Sequence, residues 1–151
     1  MTKTSFTVAM WIKRYAVDEG QVFGSTSLLT FGIIISNKAR ISFIWNTANT
    51  VNEAASSNDA VKHHTWTHIA VSLNKQTREM KIYVSGETIA TKYLSDPPED
   101  RIPDSYLYIG SKEYAKYFKG YMEDLFIISE AVTESEVKAI MNWIDQGNYI
   151  L

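Results

Sequence analysis

Short stretches that alternate apolar and polar residues, each closed by turn residues, limit what this chain can fold into more than any other feature. Phe6, Val8, Met10 and Ile12 share one face at period two. Ile41, Phe43 and Trp45 alternate with Ser42, Ile44 and Asn46, and the sets Ile69, Val71, Leu73 and Met80, Ile82, Val84 repeat the pattern. Leu28 to Ser36 is nearly continuous in apolar residues, which suits a strand buried on both faces, and Gly32 within it marks a bend or a close backbone approach. Glu87 to Leu94 returns from the preceding strand. The last third adds the tyrosine-rich strand Tyr106–Ile109, then Gly110, the Phe118-Lys119-Gly120 step, an acidic pair and the strand Tyr121–Ser129. Many strands joined by short turns predict an all-β, antiparallel two-sheet sandwich of the jelly-roll kind.

The punctuation agrees. Ser85-Gly86 predicts a tight hairpin and Asn74–Thr77 a turn. Ser95 to Asp104 holds all three prolines and reads as a stiff loop. Residues 46–64 are polar and poorly periodic; they read as a long loop with a short strand near Val51, and such loops often carry binding. Thr133-Glu134-Ser135-Glu136 is a capping box. Val137, Ile140, Met141 and Ile144 follow at helical spacing, with Gly147 placed to end one short helix.

A chain of 151 residues with 45% hydrophobic content reads as a single domain over 1–151 with a sizeable core. A net charge of −2 with scattered cations gives no case for nucleic acid or an anionic membrane. The lack of cysteine excludes disulfides, thiolate metal sites and a cysteine nucleophile. No apolar run approaches the roughly 20 residues that span a bilayer, so membrane insertion is not expected. The N-terminal MTKTSFTVAMWIK carries no secretion signal.

Several motifs resemble the laminin-G-like branch of the concanavalin A-like lectin/glucanase superfamily. They are Phe6–Ile12, Trp66-Thr67-His68-Ile69-Ala70, Tyr83-Val84-Ser85-Gly86, Leu107-Tyr108-Ile109-Gly110, Phe118–Leu125 and Val132–Glu136. The resemblance implies a concanavalin A-like sandwich and a module that binds glycan or protein surfaces. Glycanases of the superfamily carry E-x-D-x-x-E on one strand, and this chain has no such motif, so no enzyme activity is expected. Relatives usually carry a strand before the Phe6–Ile12 segment. Only Met1–Ser5 precede it here, which suggests an open sheet edge, covered by Asn148–Leu151 or paired with another subunit.

Candidate ligand-binding residues are Tyr106, Tyr108, Tyr114 and Tyr117, with Asn49 and Asn52 from the 46–64 loop, because exposed aromatics stack on sugar rings. Tyr121 completes the tyrosine cluster, whose alternative role is to close the sandwich. Trp11, Trp45, Trp66 and Trp143 are assigned to the core. No cofactor is required; calcium is the one considered. In some relatives an acid near Glu123 and Asp124 helps hold it, and the loop acids Asp96, Glu99, Asp100 and Asp104 offer further oxygens. His68 reads as packed rather than ligating, and His63-His64 as solvated.

The expected role is a non-catalytic surface-recognition module, a virion decoration or fibre-associated subunit or an adhesion subunit. A starting Met without an export signal suits a particle released by lysis, so the expected location is extracellular or on a virion surface. The alternative is a calcium-dependent lectin domain from a larger secreted protein, and a glycoside hydrolase ranks last.

Overall fold

The computed structural model describes residues 5–25, 31–47, 49–98, 107–111 and 116–143. Among them the alternating segments form β1 (Phe6–Arg14), β2 (Gly20–Ser25), β3 (Phe31–Ile35), β4 (Ile41–Asn46), β5 (Val51–Ala55), β6 (Thr67–Asn74), β7 (Glu79–Val84), β8 (Glu87–Tyr93), β9 (Leu107–Ile109) and β10 (Gly120–Ile128), followed by α1 (Glu134–Met141). The strands make two five-stranded sheets, A in the order β10-β1-β6-β7-β8 and B in the order β5-β4-β3-β2-β9. Neighbouring strands are antiparallel throughout. The jelly-roll sandwich expected from the alternation is the fold observed.

The inward halves of the patterns meet in one core. Phe6, Val8, Met10 and Ile12 from β1 face Ile33, Ile35, Ile41, Phe43 and Trp45 from sheet B. Trp45 stacks on Phe31 at 5.9 Å between ring centroids, and Phe6 lies 5.5 Å from both. Each such ring removed from water contributes about 2–3 kcal/mol. The close approach expected at Gly32 is filled from above. Gly32 pairs with Gly24, and a Cβ on Gly32 would come within 3.2 Å of the buried Gln21 amide. Gln21 Nε2 also donates to Ser111 O at 3.1 Å, which fastens the segment after β9.

The outer face of sheet A is partly roofed. Ala9 and Ala70 are small enough to admit α1, and with Tyr83 they pack against Val132, Val137, Phe126, Ile128 and Ile140. Thr133 caps the helix by accepting the Glu136 N–H at 3.3 Å. Glu134 accepts the Thr88 N–H at 2.9 Å and the Thr88 hydroxyl at 2.7 Å. Those bonds, with Lys138, hold its carboxyl down to about 2. Thr7 Oγ1 donates to Glu130 O at 2.7 Å and accepts the Val132 N–H at 3.0 Å, so the start of β1 and the approach to α1 are joined through one hydroxyl. The Ser85-Gly86 hairpin forms with φ of 50° and 82°, both left-handed, as a two-residue primed turn requires.

Two expectations need correction. The short strand expected near Val51 is β5, but the rest of residues 46–64 is not a free loop: Val61 is fully buried, and the backbone is tied by Ser56 N to Ile41 O, Asp59 N to Lys38 O and His64 N to Arg14 O. Trp11, Trp66 and Trp143 do not enter the core: Trp11 stands on the outer face of sheet A beside His68, and Trp66 and Trp143 are 37% and 41% exposed. β1 is internal, flanked by β10 and β6, so among the described residues the edges of sheet A are β10 and β8. Gly147, Ile144 and Asn148–Leu151 lie outside the described residues.

Candidate functional site

The residues expected to bind a ligand do not converge. Asn52 is buried: its Nδ2 donates to Thr50 O at 3.4 Å, and its Oδ1 accepts the Ser95 N–H and hydroxyl at 3.4 Å. It holds β5 to the segment after β8 and offers nothing to a ligand. Asn49 is exposed in the turn before β5, at one edge of sheet B. Tyr117 is exposed at the other edge, bridged to Gln21 of β2. Tyr108 pairs with Gly24 and is half-buried, whereas Leu107 and Ile109 beside it are exposed, the reverse of an exposed tyrosine face. Tyr106 and Tyr114 lie outside the described residues.

The acidic candidates are also dispersed. Glu123 is exposed on β10 opposite Trp11. Asp124 sits in a bulge opposite Met10, with φ of 53°. Asp96 Oδ2 accepts from Thr50 Oγ1 at 2.8 Å and Thr47 Oγ1 at 3.2 Å, anchoring the β4–β5 turn. Glu99, Asp100 and Asp104 fall outside the described residues. Among the described residues no three His, Asp or Glu side chains gather as a metal site would require. His68 is packed as expected, edge-on to Trp11 at 5.3 Å, and burial lowers its pKa to about 4. His63 Nε2 lies 3.2 Å from Ala16 O.

What does converge is an aromatic cluster at the open end of the outer face of sheet A. Tyr15, just beyond β1, lies 5.9 Å from Tyr121, and Tyr121 lies 6.4 Å from Trp66. Tyr15 and Tyr121 are 53% and 60% exposed. Register explains the gathering. Lys13 pairs with Tyr121 across β1 and β10, while Ile12 pairs with Thr67, so Trp66 falls alongside Lys13. The rings are tilted at 59° and 44°, making a ridged surface rather than a flat platform. Polar groups rim it: Lys13, Glu123 and the ion pair of Lys119 with Asp18 at 2.7 Å. That hydrogen-bonded pair raises the Lys119 pKa and lowers that of Asp18. Aromatic faces beside fixed charges suit an amphipathic ligand whose rings carry C–H faces and hydroxyl edges. Parity was the available signal, since Trp66 shares the face of His68 and Ala70, and Tyr15 that of Trp11 and Lys13, both opposite the core.

The Laminin_G_3 family model of the Concanavalin A-like lectin/glucanases superfamily matches residues 1–138. The chain belongs to this superfamily. No curated protein sequence matches it. Among solved structures it is similar to the CBM40 of the Ruminococcus gnavus IT-sialidase, with a TM-score of 0.79 at 15% identity, covering 92% of this chain and 83% of that one. The same CBM40 bound to alpha2,3 sialyllactose matches with a TM-score of 0.76 at 15% identity, over 92% of this chain and 83% of that one. The receptor binding domain of botulinum neurotoxin C/D mosaic serotype matches with a TM-score of 0.75 at 16% identity, over 94% of this chain. This laminin-G-like chain spans only 37% of that toxin domain. Among the described residues no helix is long and apolar enough to cross a membrane.

Proposed function

We propose that this laminin-G-like domain is a non-catalytic glycan-binding module that contacts sugar rings through Tyr15, Trp66 and Tyr121. The observation that carries the reading is the gathering of three exposed rings on the open end of sheet A, with Tyr121 about 6 Å from both Tyr15 and Trp66. Similar folds in a sialidase CBM40 bound to sialyllactose and in a toxin receptor-binding domain support a sugar as the ligand class. Against hydrolysis stands the spacing of the acids: Glu123 lies on the outer face and Asp124 in the bulge, not paired across a scissile bond. The receptor-binding relative also supports an attachment role, on an adhesion subunit or on a virion decoration or fibre-associated subunit.

A glycan array probed with the purified chain, in calcium and again in chelator, tests this. Binding that survives chelation and weakens about tenfold in both Tyr121→Ala and Trp66→Ala is expected, the loss of one stacking ring costing about 1.4 kcal/mol. Binding abolished by chelator and unchanged in those variants would replace the aromatic surface with a calcium-dependent lectin site. A folded, monodisperse chain that binds no glycan would end the reading.

A further inference from the structure

Among the described residues the sandwich is open along one side. β9 and β10 are the edge strands of sheets B and A, and among the described residues each has one strand neighbour, β2 and β1 respectively. Both edges expose apolar side chains whose register points them inward. Ile109 pairs with the core residue Phe23, and Leu107 with the buried Ser25. Ile127 pairs with the core residue Val8, and Leu125 shares the bulge opposite Met10. Inward register normally means burial, yet these four are 36–56% exposed. The two edges approach each other at one end, where a Cβ on Gly110 would lie 3.9 Å from Met122 Sδ. The seam therefore has an apolar floor from both sheets and a β10 edge that, among the described residues, presents alternate N–H and C=O groups with no strand to receive them.

We propose that this seam accepts an extended strand from a partner polypeptide, one that alternates apolar and polar residues and carries a lysine or arginine near its middle. The backbone of β10 sets the pairing, and the inward register dictates the alternation, because every second residue of the incoming strand lies over Leu125, Ile127, Leu107 and Ile109. Charge decides the occupant. Glu123 and Asp124 stand together mid-strand, and among the described residues no lysine or arginine pairs with either. Two copies of this chain joined antiparallel, β10 to β10 and centred on this mid-strand point, would bring four carboxylates together, and like charges across a ladder are destabilising. A partner strand with a central cation satisfies them. This inference is independent of the glycan reading.

The test uses the whole chain and a synthetic nine-residue peptide that alternates valine and threonine, with lysine at its centre. Amide hydrogen exchange of β9 and β10 is followed by NMR, with sedimentation velocity alongside. The expected result is a monomer whose alternate β10 amides exchange freely and slow at least tenfold when peptide is added. Ile127→Lys should remove that slowing with the thermal midpoint unchanged; if that variant unfolds, Leu107→Lys serves the same purpose. Three results overturn the proposal: protection already present in the concentration-independent monomer, which means the chain covers its own seam; protection that appears only with self-association, which means a second copy; and no slowing at peptide concentrations up to solubility.

Discussion

The two sides of this sandwich are finished in opposite ways. Where β5 lies over β8, polar side chains bond across the gap: Asn52 accepts from the Ser95 N–H and hydroxyl, Asp96 accepts from the Thr47 and Thr50 hydroxyls, and Leu94 is 4% exposed beneath them. Where β9 and β10 meet, side chains of equal apolarity and the same inward register stay open to water. Apolar content does not distinguish the sides. The difference is whether short Asn, Asp and Thr side chains can satisfy the backbone that a closed edge would otherwise strand. A sealed side is a matter of stability, and an open one leaves a surface available for contact.

That contrast is easiest to break with a pair of truncations. Leu94→Ala removes a packed side chain from the closed side and is expected to cost about 3 kcal/mol, read from urea unfolding. Equal losses from Leu94→Ala and Ile127→Ala would erase the distinction. Acid tests the middle of sheet A, away from both sides. Burial depresses the His68 pKa to about 4, so the unfolded chain takes up the proton first. The His68 contribution to stability should then be full above pH about 6.5 and be lost between 6.5 and 4, by up to about 3 kcal/mol. His68→Phe should flatten that slope in the pH dependence of the urea midpoint; an unchanged slope would place the titration elsewhere. Asn52→Ala leaves the Ser95 N–H without its partner and is expected to cost about 2 kcal/mol. Proteolysis after Ser95 should quicken in that variant, and no change would mean that Asn52 does not seal the edge. Ile127→Ala comes last, at below about 1 kcal/mol, because the side chain is already half in water.

The strands were legible because burial on one face writes itself into the sequence at period two. The hairpin at Ser85-Gly86 and the cap at Thr133 were legible because each depends on neighbours in the chain. Asn52 was misread because a polar residue that seals an edge and one that greets a ligand look alike until their partners are known. Those partners sit 43 residues away, at Ser95. Trp66 was misread by size, although its parity with His68 marked the outer face. The exposure of Leu107 and Ile109 was beyond reach, since alternation reports which face a residue takes and not whether another sheet lies over it.

The Thr7 hydroxyl that joins Glu130 and Val132 has a mechanical consequence. It places the entry of the chain into the sandwich and its exit toward the helix side by side, with Thr7 opposite Ile128 in the ladder. A pull between those two points meets β1 and β10 at one rung and parts them bond by bond, like a zipper, instead of loading every rung at once. A tethered domain of this shape yields at low force along the line joining those two points, with β6, the other neighbour of β1, sharing the load on that strand.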